Sequence, residues 1–464
     1  MNFINIINND FKKFFVNHYN DDYHTYFASY NTYYNDIVVK KGWNLNTTHL
    51  KKDYEYNNSE LNETKISIIK NCKYVPTKIM EKQQLKDIYK HLINPKIYKF
   101  SKIRKELLKM YNYLLPSTID NLDNLNNYLQ NIKVDKAINV IIAGAGPVGL
   151  FSALYLQKYY ENQFNQNVNI LLVDNRVAQE GIRLPYTRTT KFGFDISLIQ
   201  DFIHNLFCWD ETKPKKYSRH FDYINILENL LFVVAFHYKI PMYFTKTLET
   251  YDKIKDFAKN NNFHYIFDCT GGRLGAQFKT NIKKSTEEWG KIIKLKQGEH
   301  EMKLDDDGYF RHYINNKIYQ HRAMVLTLIY KNKKEYHIGN NFGMTDNKRD
   351  IKLIDKLSNK CFSREDFEYI SKHFESHNIR YHLENMLSES EAIQKNTKFV
   401  KITSFNVFAT RHLDKCAYKI NSKLTYIALG DTTGNSEVGI YYGMDSGLRF
   451  AKHIIHLLGT FSNV

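Results

Sequence analysis

INVIIAGAGPVGL, residues 138–150, is the stretch of sequence that decides the fold. A β-branched run, Ile138–Ile142, leads directly into the glycines Gly144-x-Gly146-x-x-Gly149, and an apolar helical pattern follows. Strand, glycine turn and helix in this order are the context in which such glycines bind a dinucleotide. The stretch therefore predicts the start of a Rossmann-like βαβ unit.

Each glycine of this loop has a separate role in a dinucleotide fold. Gly144 permits the tight turn, Gly146 lets the backbone approach a pyrophosphate, and Gly149 lets the helix pack closely on the sheet. Ala145 and Pro147 complete the loop. The unpaired N–H groups and the positive dipole end of the helix N-terminus then face the phosphates. These five residues are predicted to bind the phosphates of a cofactor.

An acid ends the next predicted strand. The apolar run Val168–Val173 leads to Asp174, whose carboxylate at a strand end can accept hydrogen bonds from the ribose hydroxyls of adenosine. Asn175 and Arg176 follow directly and are predicted to lie in the same site. With this strand the first βαβ unit is complete.

A second glycine-rich turn lies near the end of the chain. The predicted strand Leu424–Leu429 is followed by Gly430 and Asp431, and then by Gly439 and Ile440 ahead of a final helix. The first fingerprint by itself leaves NAD and FAD open. The second turn favours FAD, because Asp431 can hold ribityl hydroxyls or order water on the pyrophosphate. The helix start can also stabilise the negative charge of a reduced flavin.

A third acid stands between these two motifs. The predicted strand His264–Phe267 ends in Asp268, with Gly271 and Arg273 in the turn that follows. The three motifs together resemble the pattern of the group A flavoprotein monooxygenases, the para-hydroxybenzoate hydroxylase class. Within that class the sequence is most similar to the monooxygenase module of the MICAL family, through its N-terminal stretch and residues 179–186. Residues 439–447 also resemble the geranylgeranyl reductases.

The resemblance covers roughly residues 137–458 and implies roles at matching positions. The first glycines and Asp174 would bind the ADP half of FAD, and Arg183 or Arg188 would lie near the flavin. Asp268 and Arg273 would contact FAD and NADPH, and Asp431 would bind the ribityl chain or pyrophosphate. No catalytic acid or base is assigned. The predicted cofactor-binding residues are Gly144, Ala145, Gly146, Pro147, Gly149, Asp174, Asn175, Arg176, Arg183, Arg188, Asp268, Gly271, Arg273, Gly430, Asp431, Gly439 and Ile440.

Two positions depart from the family pattern. The helix that contains residues 223–231 usually begins with an arginine that contacts the cofactor, and the matching position here is Asn225. The proline that usually follows the late Gly-Asp motif is also missing, with residues 435–438 in its place. Both departures bear on NADPH-dependent hydroxylation more than on FAD binding.

The pattern predicts an α/β fold with an interrupted dinucleotide domain. We expect a helical N-terminal region over residues 1–135 and the first part of an FAD-binding domain over 136–275. An antiparallel substrate sheet with helices is predicted for 276–400, because apolar and polar residues alternate between turn formers there. Residues 401–464 are predicted to complete the FAD-binding domain.

Composition restricts the other classes of function. The formal charge of +17 comes from lysines spread along the chain, in a sequence rich in the Asn, Ile, Lys and Tyr typical of A/T-rich viral or protist genomes. Nucleic-acid binding is therefore not expected.

The longest apolar run, Leu230–Phe236, is far short of the roughly 20 residues of a membrane span, and the N-terminus does not resemble a signal peptide. The five scattered cysteines predict no disulfide framework and no metal site. A cytoplasmic protein is expected, in the host cytoplasm or virion if the source is viral.

The function predicted from these observations is an FAD-dependent oxidoreductase. The resemblance implies a monooxygenase that uses NAD(P)H and acts on an organic or protein substrate. One alternative is a flavin-dependent reductase of polyprenyl-type double bonds. Another is a non-catalytic binding protein or scaffold on the same fold, as in the Rab GDP-dissociation inhibitors.

Overall fold

The structure is a computed structural model, and it combines parallel and antiparallel sheets with helices. The residues that it describes are 3–12, 76–92, 106–132, 137–159, 167–185, 191–195, 219–274, 300–304, 310–314, 317–319, 322–332, 335–345, 348–358, 361–362, 369–370, 372–375, 397–406, 411–412, 415–435 and 443–462.

The helices and strands of these residues are numbered in chain order. The helices are α1 (Phe3–Lys12), α2 (Lys82–Leu92), α3 (Leu122–Gln130), α4 (Pro147–Tyr159), α5 (Ile224–His237), α6 (Tyr251–Asn260), α7 (Lys348–Leu357) and α8 (Gly443–Ser462). The strands are β1 (Lys78–Ile79), β2 (Tyr113–Pro116), β3 (Ala137–Ala143), β4 (Asn167–Asp174), β5 (Val177–Gln179), β6 (Ile182–Arg183), β7 (Lys191–Asp195), β8 (Arg219–Tyr223), β9 (Met242–Phe244), β10 (Tyr265–Asp268), β11 (His300–Leu304), β12 (Phe310–Ile314), β13 (Lys317–Tyr319), β14 (Arg322–Asn332), β15 (Glu335–Thr345), β16 (Cys361–Phe362), β17 (Thr397–Asn406), β18 (Arg411–His412), β19 (Ala417–Lys419), β20 (Thr425–Ala428) and β21 (Gly434–Asn435).

The central sheet has the strand order β19-β20-β10-β3-β4-β9. All neighbours are parallel except the edge strand β19, which runs antiparallel to β20. The last residue of β10, Asp268, is in register with Ala143 at the end of β3 and with Ala428 at the end of β20. The carboxyl ends of these strands, and the turns that follow them, therefore meet at one edge of the sheet.

The order of the strands creates a switch point between β3 and β10. From β3 the chain proceeds through α4 to β4 and then to β9, on one side of the starting strand. It next crosses to β10 and later β20, on the other side. In open parallel sheets the crevice at such a reversal is where ligands bind. The predicted glycine loop follows β3 and so lies at this crevice.

Helix α4 packs on strands β3 and β4 of the sheet, and helices α5 and α8 pack against α4. Every residue of α5 from Asn225 to Phe236 is buried, so the longest apolar run of the sequence belongs to a core helix. Helix α5 begins at Ile224, whereas residues 219–223 before it form a strand paired with β7. Among the described residues, no helix is both long and apolar enough to cross a membrane.

The expected antiparallel strands form two further sheets. Strands β11, β12 and β13 make one meander, and β14 pairs with both β15 and β17 in the other. Strand β17 extends past the expected boundary at residue 400, because its backbone groups pair with β14 as far as Asn406. Side chains of β11–β15 lie outside the described residues, and so do residues 275–299.

The N-terminal region contains strands as well as the expected helices. Strand β2 pairs with β6, so that Leu115 stands in register with Arg183, and β1 extends the same sheet. The N–H of Ser117 donates to the carbonyl of Gly181 at 2.9 Å. These pairings satisfy backbone groups that burial would otherwise leave without partners. Part of the first 135 residues is thus built into the cofactor-domain framework.

Helix α1 attaches the start of the chain to the edge of the central sheet. The side-chain oxygen of Asn8 accepts from the N–H groups of Cys416 at 2.8 Å and Ala417 at 3.0 Å. Its amide donates to the carbonyl of Ala417 at 2.9 Å. The side chain of Asn8 therefore makes hydrogen bonds to the backbone of the edge strand β19 that a neighbouring strand would otherwise make.

We expect Asn8→Ala to lower the free energy of unfolding by about 1–3 kcal/mol, because buried N–H groups lose their acceptor. Asn5→Ala is the matched control, since Asn5 lies exposed on the same helix. Urea denaturation of both variants measures the difference. An equal effect of the two substitutions would contradict the role given to Asn8.

Candidate functional site

The glycine loop has the geometry that the sequence predicts. Gly144 has a φ of +98°, and a Cβ there would lie 2.8 Å from the carbonyl oxygen of Cys269. A Cβ on Gly149 would lie 1.8 Å from the carbonyl oxygen of Gly144. Only glycine fits at these two positions, which bring β3, α4 and the turn after β10 into close contact.

Gly146 differs from its two neighbours in the motif. A Cβ at this position would meet none of the described residues within 4 Å, so they do not require glycine there. Pro147 begins α4, where a missing N–H costs nothing and the fixed φ suits the helix. The open side of Gly146 thus lies at a helix N-terminus, the arrangement that lets a phosphate approach the backbone closely.

Asp174 ties the glycine loop to the end of β4. Its carboxylate accepts from the N–H of Ala145 at 2.7 Å and from the N–H of Arg176 at 2.7 Å. The guanidinium of Arg176 adds an ion pair at 3.0 Å. Burial alone would raise the pKa of Asp174, but the charges of Arg176 and Arg183 hold the pKa below its usual value. The carboxylate is therefore charged and positions the loop, while its contact with a ribose stays a prediction.

Arg183 lies at the centre of a buried ionic cluster, defined as Asp174, Arg176, Arg183 and Glu228. Its guanidinium pairs with Glu228 and donates to the carbonyl oxygen of Ala145 at 2.6 Å. Arg176 also reaches Glu228, at 3.1 Å. Two cations balance two anions, so the cluster brings no net charge into the core. It joins α5 to the glycine loop.

Helix α5 supplies a polar stripe that the sequence analysis did not use. Asn225, Glu228 and Asn229 are fully buried and lie three and four residues apart, the spacing of one helix face. Only Asn225 was noted from the sequence, as a departure from the expected arginine. Polar residues three and four positions apart inside an apolar run were the sequence signal that could have identified all three. A helix that is apolar all round is buried, so its polar side chains are buried with it.

Several polar atoms beside this stripe have no hydrogen-bond partner within the described part of the chain. They are Nε and Nη1 of Arg183, both side-chain atoms of Asn225, and Oδ1 of Asn229. Buried polar groups are nearly always hydrogen-bonded, and an unpaired one costs free energy. Because Arg183 touches Ala145, its unpaired atoms lie beside the glycine loop.

The middle and late motifs meet around Asp268. Its buried carboxylate accepts from the hydroxyl of Tyr426 at 2.6 Å, and from the N–H and hydroxyl of Thr270 at 2.9 and 2.7 Å. The hydroxyl of Thr432 also donates to it, at 3.2 Å, and accepts from the N–H groups of Gly271 and Gly272 at 2.9 and 3.1 Å. Burial raises the pKa of Asp268, and the hydroxyl donors oppose the shift. Asp268 thus holds two loops in register.

The late turn is packed as closely as the first. Gly430 has a φ of +61°, and a Cβ there would lie 3.0 Å from a methyl carbon of Val148. Gly447 of α8 packs against Gly430 in turn, since a Cβ on it would lie 3.0 Å from the Gly430 Cα. Asp431 is exposed at this edge, next to Gly271. Asp431, the acid that is predicted to bind the cofactor, therefore belongs to the late motif and lies beside the middle one.

We expect the hydrogen bonds of Asp268, rather than its charge, to stabilise this arrangement. Asp268→Leu leaves four hydroxyl and amide donors without this acceptor, which should cost about 3 kcal/mol of unfolding free energy. Asp268→Asn keeps the shape and one oxygen and should cost less than about 1.5 kcal/mol. Urea denaturation compares the two variants, and equal losses would show that the charge matters instead.

The structure brings most of the predicted residues to one edge. The three turns that contain Gly144–Gly149, Asp268–Arg273 and Gly430–Asp431 adjoin one another through the contacts above, and Asp174 and Arg183 reach the first of them. Asn175 and Arg273 are exposed at the same edge. A direct contact of Asp268 with a cofactor stays a prediction, because the structure gives its carboxylate a positioning role. Arg188, Gly439 and Ile440 lie outside the described residues.

Two features of the edge fit FAD. The open backbone at Gly146 suits a pyrophosphate, and the exposed carboxylate of Asp431 suits hydroxyl groups. The residues present therefore match a ligand that carries phosphate at one point and neutral polar groups at another.

Comparisons with known proteins give matches among solved structures. No family model matches the sequence, and neither does any curated protein. Similar solved structures include CtdE in complex with FAD and a substrate, at 12% identity over 67% of this chain and 78% of that one, with a TM-score of 0.35. The tetrameric 2-methyl-3-hydroxypyridine-5-carboxylic acid oxygenase matches at 10% identity over 69% and 82%, with a TM-score of 0.36. The tryptophan 6-halogenase of Streptomyces toxytricini matches at 10% over 70% and 72%, with a TM-score of 0.32. At these values the function has to be argued from the residues of the site.

Proposed function

We propose that this protein binds FAD and is a flavin-dependent oxidoreductase. The observation that carries the proposal is the meeting of three turns at the switch point between β3 and β10. There a glycine loop with an open backbone at Gly146 faces the turns of Asp268 and Asp431. A dinucleotide that spans such a crevice needs a phosphate site at one turn and polar partners at the others.

Within this class we propose a monooxygenase that uses NAD(P)H. Support comes from the antiparallel strands β14, β15 and β17, which the chain inserts between the two parts of the parallel sheet. Such an insertion matches the substrate domain of the monooxygenase class that the sequence resembles. A MICAL-like protein substrate, NADPH in preference to NADH, and the reductase alternative remain separate predictions.

The residues of this chain would hold and orient the cofactor rather than exchange protons with a substrate. The α4 N-terminus and Gly146 would hold the pyrophosphate, and Asp431 would accept from hydroxyl groups. Asp174 and Asp268 would keep their turns in place from inside the protein. When bound, FAD supplies hydride acceptance from NAD(P)H and reactivity toward oxygen, which is chemistry of the cofactor itself.

The absorption spectrum of the purified protein tests the proposal. We expect the visible bands of oxidised flavin, and bleaching of these bands when NADPH is added without oxygen. A colourless protein that cannot be reconstituted with FAD would overturn the proposal and favour a non-catalytic binding protein. NADPH oxidation that yields peroxide in air would favour the oxygenase over the polyprenyl reductase.

A further inference from the structure

The hydroxyl group of Thr432 uses all of its hydrogen-bonding positions inside the protein. A hydroxyl has one donor position and two acceptor positions. In Thr432 it donates to the carboxylate of Asp268 at 3.2 Å, and it accepts from the N–H groups of Gly271 at 2.9 Å and Gly272 at 3.1 Å. All three positions are occupied, so Thr432 can affect a cofactor only through the turns that it joins.

These three hydrogen bonds join the middle and late turns at a point beyond the end of the sheet. The pairing of β10 with β20 ends where the N–H of Leu429 donates to the carbonyl of Asp268 at 2.9 Å. Past this point both chains form turns, and Thr432 lies three residues further along the late turn. Its hydroxyl therefore fixes the two turns relative to each other where strand pairing no longer does.

The middle turn is attached to the glycine loop on its other side. The N–H of Cys269 donates to the carbonyl of Ala143, immediately before the glycine loop, at 2.8 Å. The late turn also contacts the start of α4 directly, through Gly430 and a methyl group of Val148. That contact is apolar and therefore non-directional, whereas a hydrogen bond requires a particular distance and angle. The hydroxyl of Thr432 is thus a directional link between the late turn and the other two.

Loss of this hydroxyl would change the spacing of the turns more than the stability of the protein. Gly271 and Gly272 are exposed, so water can replace the lost acceptor for their N–H groups. The replacement limits the loss of unfolding free energy, because the N–H groups remain hydrogen-bonded. A water molecule between the turns nevertheless needs space, and it would move Asp431, the residue next to Thr432, away from the middle turn.

From these observations we propose that Thr432 is a positioning residue, which sets the register of the middle and late turns so that one FAD molecule can span them. The inference rests on the proposed function. A ligand that reaches from Gly146 to Asp431 binds as two linked parts, and its affinity depends on how well its length matches the distance between the two sites. A ligand that contacts only one of the sites does not depend on that distance.

The test compares Thr432→Val with the wild-type protein for three probes: FAD, ADP and riboflavin. Valine has the shape of threonine without the hydroxyl group. We expect the dissociation constant of FAD to rise by about tenfold, the effect of one or two hydrogen bonds. The dissociation constants of ADP and riboflavin should change by less than about twofold, because each molecule is only one part of FAD. Thr432→Ser retains the hydroxyl group and should keep the wild-type affinity for FAD.

Thr433→Val is the matched control in the neighbouring position. Thr433 is fully buried, and its hydroxyl donates to the carbonyl of Gly430 at 2.5 Å, inside the late turn. Its removal costs a buried hydrogen bond but leaves the two turns joined, so the ratio of FAD affinity to ADP affinity should stay at the wild-type value. If Thr432→Val does not fold, Thr432→Ala and Thr433→Ala form the equivalent pair.

Unchanged FAD affinity in a folded Thr432 variant would overturn the inference. An equal loss of ADP affinity, or the same selective loss in Thr433→Val, would also overturn it, because the effect would then not come from the link between the turns. Wild-type protein that binds no flavin would instead refute the proposed function, and this inference with it. The two failures are distinguishable, because one appears in the variant and the other in the wild type.

Discussion

Gly149→Ala should abolish stable folding of the glycine loop and lower the free energy of unfolding by at least about 3 kcal/mol, the upper range for overpacked cores. Alanine favours a helix over glycine by about 1 kcal/mol. That gain in helix propensity is smaller than the cost of the steric clash, because the new Cβ would lie 1.8 Å from the carbonyl oxygen of Gly144. The obstructing atom belongs to the backbone of a turn with a φ of +98° and cannot rotate away. Chemical denaturation measures the loss.

Gly146→Ala is the matched control in the same motif. A Cβ on Gly146 meets no atom within 4 Å in the part of the chain that the structure describes, so the free energy of unfolding should change by less than about 0.5 kcal/mol. The methyl group should nevertheless raise the dissociation constant for FAD by about tenfold or more, because it separates the backbone from the pyrophosphate. A stable Gly146→Ala variant with wild-type affinity for FAD would argue against the phosphate site.

Glu228→Leu should destabilise the protein by about 3–5 kcal/mol, the cost of breaking a buried ion pair on one side. Glu228 is fully buried and pairs with both Arg183 and Arg176. Without it, the hydrogen-bonding and ionic partners left to the guanidinium of Arg183 among the described residues are the carbonyl of Ala145 and the more distant Asp174, at 4.0 Å. The free energy of unfolding from urea titration measures the effect.

Two further variants show whether the loss of stability comes from the buried ion pair or from removal of any charged side chain. The double variant Glu228→Leu with Arg183→Met should recover most of the loss, because buried pairs can be replaced by apolar side chains when both partners go together. Lys253→Ala removes an exposed pair with Glu249, whose side chains are about half accessible, and should cost at most about 0.5 kcal/mol. A double variant no more stable than Glu228→Leu would mean that Arg183 is needed for another reason.

Much of the central sheet could be predicted from local pattern. The β-branched run before Gly144, the run that ends in Asp174 and the run that ends in Asp268 each became a parallel strand. A strand followed by glycines or an acid is a local signal, because the turn depends on residues adjacent in sequence. The N-terminal region was less readable, since β2 is defined by its pairing with β6, far along the chain.

In the candidate site, too, some residues could be predicted from local sequence and others depend on distant contacts. Gly144 and Gly149 were assigned from spacing, and the structure gives them the close contacts expected of that motif. Asp174 and Asp268 were expected to touch the cofactor, but their oxygens accept hydrogen bonds from the protein. Glu228 was not identified, although its spacing from Asn225 and Asn229 in an apolar run is a usable signal. Thr432 was not identified either, because a buried threonine has no sequence signature apart from its partner.

The sequence alone determined that this chain begins a dinucleotide fold at residues 138–150, because the glycines, strand and helix are neighbours along the chain. Only the tertiary structure decided what surrounds that loop. Strand order places Asp268 and Asp431 beside it, and the helix α5 brings Glu228 against Arg183. The reason is physical: a turn is set by short-range backbone sterics, whereas the partner of a buried charge or amide is set by packing between elements far apart in sequence.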